Sequence, residues 1–141
     1  MAVNLSSLKR DLTAESAGTR IASPAGWAGV FYNVRSINYP PYVKARSAAS
    51  ERFRRQNGQR PMTADETAAI IGRLASDHLL LGWEGFADRT YDAAGAAAVL
   101  TDPQFSFVLD DVLLASVQAG QVTAEVVEEA AGNSGPPSAG A

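Results

Sequence analysis

Apolar residues recur at helical spacing through most of this chain. Ile70, Ile71, Leu74, His78 and Leu81 make one stripe, with Asp65, Glu66, Arg73 and Asp77 on the other side. Thr63-Ala64-Asp65-Glu66 fits a capping box, so the spacing predicts a helix opening at Thr63. An earlier helix is predicted from about Pro41 to Gln56. Proline suits a first turn, Asn57-Gly58 suits a C-terminal cap, and Tyr42, Ala45, Ala49 and Phe53 share a side. Asp92 can cap a short Ala-rich helix ending near Leu100, and Asp102-Pro103 starts another. That helix places Phe105, Val108, Leu109, Val112 and Ser116 on one face and Gln104, Asp111 and Gln118 opposite. Phe107 and Leu114 fall beside the polar seam, where exposure is expected. Gly120 is expected to break or bend it before a last piece from Thr123 to Ala131.

The period shortens to two only near the beginning. Thr19 to Ala22, the turn-forming Ser23-Pro24-Ala25-Gly26 and Trp27 to Ile37 read as a β-hairpin, with Val30, Tyr32 and Val34 on one face. Gly82-Trp83-Glu84-Gly85 reads as a tight turn between two helices. Trp83 is then the packing centre, since a glycine on each side lets the backbone turn beneath the indole. The expected fold is mainly α: about four helices packed with a small N-terminal β-hairpin, and a disordered C-terminal tail. Residues 1–17 form an N-terminal arm, in which Leu5, Leu8 and Leu12 share a helical face. Residues 18–131 form a single hairpin-plus-helical domain. Residues 132–141 carry NSGPPSAGA, a Gly/Pro/Ser tail with little to bury.

Charge changes this picture more than composition does. Residues 1–60 hold ten of the twelve Lys and Arg against three acids, whereas residues 61–141 hold twelve acids against Arg73 and Arg89. Opposite-sign halves suit head-to-tail self-association, a charged partner or plain solvated surface. The basic run Glu51 to Arg60, with several arginines around Phe53, is the best candidate for binding phosphates. The chain as a whole is acidic, however, and no helix-turn-helix spacing follows the run, so an acidic protein surface suits Arg52, Arg54 and Arg55 better than nucleic acid does.

Enzymatic chemistry finds no foothold. With no cysteine there is no thiolate nucleophile or thiolate-held zinc, and His78, the single histidine, sits on an apolar helix face and reads as a core residue. Asp110-Asp111 and Glu128-Glu129 are adjacent on helices, point about 100° apart and read as solvated. No nucleotide-binding, zinc-protease, calcium-loop or nucleophile-elbow motif occurs. No catalytic residue, cofactor or metal is expected. No apolar run approaches the roughly 20 residues of a membrane helix, and the first residues lack a signal-peptide layout, which predicts a cytosolic protein.

A Trp-bearing hairpin runs into Val34-Arg35-Ser36 and a basic helix. A capped leucine-rich helix then ends in HLLLGWEGF, and YDAAGAAAVLTDP leads to the last helix. In this order the chain resembles the small, mostly helical tail assembly chaperones of long-tailed bacteriophages over roughly Gly18 to Ala130. The family pattern falls on Val34-Arg35-Ser36, Leu79 to Gly85 and Tyr91 to Pro103. Gly82, Trp83, Glu84 and Gly85 are its structural signature. The interval Phe86 to Thr90 is shorter than in many members. The resemblance implies a non-enzymatic protein of the host cell cytoplasm that binds the tape measure protein, keeps its helices soluble and helps recruit tail tube subunits. Phe107 and Leu114 would touch such a client, and Arg52, Arg54 and Arg55 an acidic partner or another copy in a homo-oligomer. Two other readings are a structural virion protein, such as a small tail or head-tail connector component, and a basic-helix nucleic-acid binder.

Overall fold

The computed structural model describes residues 2–134. A 3-10 turn, Leu5–Leu8, and a short helix α1, Leu12–Ser16, make up the arm. Strands β1, Thr19–Ala22, and β2, Phe31–Val34, follow, and then helix α2, Pro40–Asn57. Helix α3 covers 64–78 and β3 is Leu80–Glu84. Helix α4, Ala93–Leu100, and a 3-10 turn, Pro103–Phe105, lead into α5, Ser106–Ser134.

The capping signals act as the sequence reads. The Thr63 hydroxyl accepts from the Glu66 amide, while the Glu66 carboxylate accepts from the Thr63 amide at 2.9 Å. Asp92 accepts from the Gly95 amide at 2.6 Å and Asp102 from the Gln104 amide at 2.9 Å, so both fix helix entries. Gly58 ends α2 with its amide on the Arg54 carbonyl.

The expected architecture is corrected in two ways. Five helices, not about four, stand among the described residues, and the hairpin belongs to a three-stranded antiparallel sheet of order β1-β2-β3. Its third strand comes from the middle of the chain. The segment Leu80–Glu84, expected to end a helix and turn, pairs Phe31 with Glu84, Tyr32 with Trp83 and Val34 with Leu80, with a bulge at Leu81. Helix α3 passes into β3 with almost no loop, and the Arg35 amide donates to the Leu79 carbonyl at 2.8 Å. A lone hairpin is marginal in water, whereas a third strand and a helix on one face make the sheet stable. Ile21, Tyr32, Val34 and Leu80 supply that apolar face.

Small residues set the helix packing. The buried side of α3 is Ala68, Ile71, Gly72, Ala75 and then Leu79, one residue round from the stripe read in the sequence, and Ile70, Leu74 and His78 are only half-buried. Residues Ala68–Gly72 wind as a π turn. A Cβ on Gly72 would overlap the Leu100 carbonyl oxygen, so this glycine lets α3 meet the end of α4 backbone to backbone. Gly120 does not break α5. It lies inside the continuous helix, where a Cβ would stand 2.8 Å from the Ser36 hydroxyl oxygen. The helix also covers residues 132–134, expected in the tail; the rest of that tail, 135–141, lies outside the described residues.

Candidate interaction surface

The chemistry that places the exposed surface begins inside α5. Asp111, expected on the polar face, is 2 % exposed. Its carboxylate accepts from the Ser23 hydroxyl at 2.6 Å, from the Tyr32 hydroxyl at 2.7 Å and from the Ala25 amide at 2.7 Å. No cation pairs with it among the described residues. Hydrogen bonds to a charged acceptor contribute about 1.5–3 kcal/mol each, and three of them hold this carboxylate without a counter-ion. Burial, and next the Asp111 carboxylate, push the Tyr32 hydroxyl well above the usual tyrosine range. The β1–β2 turn is thereby tied to one rotation of α5.

That rotation turns Leu109, Val112, Ala115, Ser116 and Ala119 inward. It leaves Phe107 77 % and Leu114 54 % exposed, seven residues apart on one side, with the exposed Val117 beside them. Asp110, Gln118 and Gln121 border this strip and are exposed. The result is an apolar ridge with polar edges on a helix that cannot roll.

The glycine-tryptophan signature sits elsewhere and acts structurally. Trp83 is half-buried at the end of β3. It packs edge-on against Phe86 and Tyr91, at centroid distances of 5.4 and 5.5 Å, and its indole N–H donates to the Arg89 carbonyl at 3.2 Å. It closes the 85–92 loop and is not the packing centre between two helices. The largest fully buried side chains are Tyr32, Tyr42, Leu79 and Leu100. Gly85 has φ 97°, and a Cβ there would overlap the Gly29 carbonyl oxygen, so the strand can end only with glycine. Gly82 pairs with Asn33 in the sheet, and Glu84 receives an ion pair from Arg20 at 2.6 Å.

The arginines of α2 point to solvent. Arg54 pairs with Glu51 of its own helix at 2.6 Å, while Arg52 and Arg55 are exposed and have no ion-pair partner among the described residues. Arg60, just beyond, is held by Glu66 at 2.8 Å and lies over the Phe53 ring at 5.1 Å. Arg60 and the Thr63 amide lower the Glu66 carboxyl to about 2. The structure brings neither Phe107 nor Leu114 to the arginines: they are separate surfaces on separate helices.

His78 lies on the α3 flank and contributes a carbonyl to Arg35, 3.1 Å away. Among the described residues no group of three His, Cys, Asp or Glu could hold a metal ion, and no helix is long and apolar enough to cross a membrane. A cleft of about 380 Å³ runs between the arm and α5, lined by Arg10, Glu15, Ser36, Asn38, Thr123 and Glu128. Two of the three charges in that lining are matched to each other, Arg10 pairing with Glu15 at 2.5 Å.

The buried Asp111 hub escapes sequence reasoning because Asp-Asp on a long helix looks solvated. The signal that could reveal it is the facing Ser23 turn and the tyrosine amid the apolar face of β2, both needing an acceptor once buried. No curated protein and no solved structure matches the chain significantly. Residues 37–133, most of the chain and including α2, α3, β3, α4 and nearly all of α5, match the family model described as YdaY prophage protein. This chain therefore belongs to the YdaY prophage protein family and is phage-derived.

Proposed function

We propose that this protein is a tail assembly chaperone that binds the tape measure protein in the host cytoplasm and assists tail tube assembly without catalysis. The observation that carries the reading is the Phe107–Leu114–Val117 ridge, exposed on a helix whose rotation Asp111 fixes. Exposed apolar side chains interspersed with polar ones along one helix suit docking an amphipathic helix, and the resemblance implies a client whose hydrophobic helices must be kept soluble. Membership of a prophage family supports the biological setting, and the resemblance of Val34-Arg35-Ser36, Leu79 to Gly85 and Tyr91 to Pro103 to the chaperone pattern supports the finer role.

The test is co-expression with the tape measure protein of the same phage. The soluble fraction of the client should rise and the two should co-purify, and Phe107→Ser/Leu114→Ser should remove both effects while the far-UV spectrum stays unchanged. A client that is equally insoluble with and without this protein defeats the reading. Recovery of the chain in stoichiometric amounts from purified particles would instead identify a structural component.

A further inference from the structure

The ion pairs sort the charged surface into two classes. Arg10, Arg20, Arg54, Arg60 and Arg73 each have a carboxylate partner within the chain. Lys44, Arg46, Arg52 and Arg55 on α2 have none among the described residues, and neither do Glu125, Glu128 and Glu129 on the far half of α5. No ion pair joins these two groups to each other among the described residues. Among the described residues, four of the seven side-chain cations without an ion pair lie on α2, and five of the ten carboxylates without one lie on α5.

Both groups lie along straight, exposed stripes of matching length. On α2, Lys44, Ala48, Arg52 and Arg55 follow one another at spacings of three and four and all face solvent. On α5, Gln118, Val122, Glu125 and Glu129 do the same. Each stripe covers eleven residue steps, about 16 Å of helix axis at a 1.5 Å rise. Each also carries a small or short apolar residue between its polar ends, Ala48 on one and Val122 on the other, which allows close approach. Val126, 59 % exposed, adds apolar area beside the acidic stripe.

We propose that these stripes are the two halves of a self-association interface, in which α2 of one copy lies along the far half of α5 of a second copy. The occupant is a second copy because the same chain carries both complementary stripes, unmatched within itself and equal in length. Made reciprocally, the contact is isologous and closes a dimer; made one way only, it is heterologous and extends a row. The stripe meets the Phe107–Leu114 ridge at Gln118, and its charged residues Glu125 and Glu129 lie further along α5, so charge changes at those two positions leave the ridge itself unaltered.

The experiment is sedimentation velocity on the full chain over a range of concentrations. Wild type should exceed monomer mass as concentration rises at low salt. It should dissociate at least tenfold more readily near 1 M salt, where the screening length falls to about 3 Å. Arg52→Glu/Arg55→Glu and Glu125→Lys/Glu129→Lys should each stay monomeric, because each brings like charges together. An equimolar mixture of the two variants should recover wild-type association, since the reversed stripes again complement each other. Any of three outcomes overturns the proposal: a wild type that is monomeric throughout, association indifferent to salt, or two variants that remain monomeric when mixed although both keep the wild-type far-UV spectrum.

Discussion

The two halves of α5 contain three valines each and have opposite surroundings. From Ser106 to Ala119 the helix lies on the sheet, buries Leu109, Val112, Ala115 and Ala119, and is tied by Asp111 to the β1–β2 turn. Beyond Gly120 it outruns that sheet. There the arm lies beside it, from Ser7 to Glu15, and Val122 and Val126 remain 40 % and 59 % exposed. Valine content does not separate the halves, and helical spacing does not either. What separates them is whether a second element stands opposite, which is why an amphipathic pattern alone shows that a face wants covering and not what covers it.

The strongest way to break this contrast is to remove the lock. Asp111→Ala strips an acceptor from two hydroxyls and an amide in a buried position, and should lower stability by about 3–5 kcal/mol, read by urea unfolding. Asp111→Asn keeps one carbonyl acceptor and should cost less. If Asp111→Ala unfolds with wild-type midpoint and slope, the carboxylate does not hold the helix.

Next in size is a direct comparison of the halves. Leu109→Ala leaves a cavity in the first half and should cost about 3 kcal/mol, whereas Val126→Ala removes an exposed side chain in the second and should stay within about 0.5 kcal/mol for the isolated monomer. Equal losses at the two positions in dilute protein would show that the far half is as well packed as the near one.

Local signals were legible where a single residue does the work. Thr63 with Glu66, Asp92 and Asp102 mark helix entries because a short polar side chain satisfies first-turn amides from within the same few residues. The exposed placement of Phe107 and Leu114 followed from counting around the helix. Leu80–Glu84 was opaque for the opposite reason. It follows a helix, contains a glycine, and becomes a strand only because β2 offers an open edge nearly fifty residues earlier in the chain. Asp111 was misread by the same route, since its three donors stand about eighty to ninety residues upstream. The inward face of α3 was displaced by one residue because Ala68, Gly72 and Ala75 pack through closeness and not through hydrophobic size. Gly120 likewise packs against Ser36 and was read as a breaker.

The smallest expected effect sharpens the comparison through pH. Tyr32→Phe removes one of the three donors to Asp111 and leaves the other two, so near neutrality it should cost about 1–2 kcal/mol. Wild type and variant should then differ in their response to alkali. The Tyr32 hydroxyl is raised above its unfolded value of about 10, by burial first and by the Asp111 carboxylate next. A raised value means that the folded state holds the proton more tightly than the unfolded chain does. The stabilisation is therefore complete below about pH 10 and is lost as pH climbs above it, by at most about 1.4 kcal/mol per pH unit. In Tyr32→Phe this component is absent, so the stability gap between wild type and variant should be flat from pH 6 to 9, on the order of 1–2 kcal/mol, and should narrow above about pH 10. A gap that stays constant through that range would mean that the tyrosine proton is not held between β2 and the near half of α5, and the lock would then rest on Ser23 and Ala25 alone.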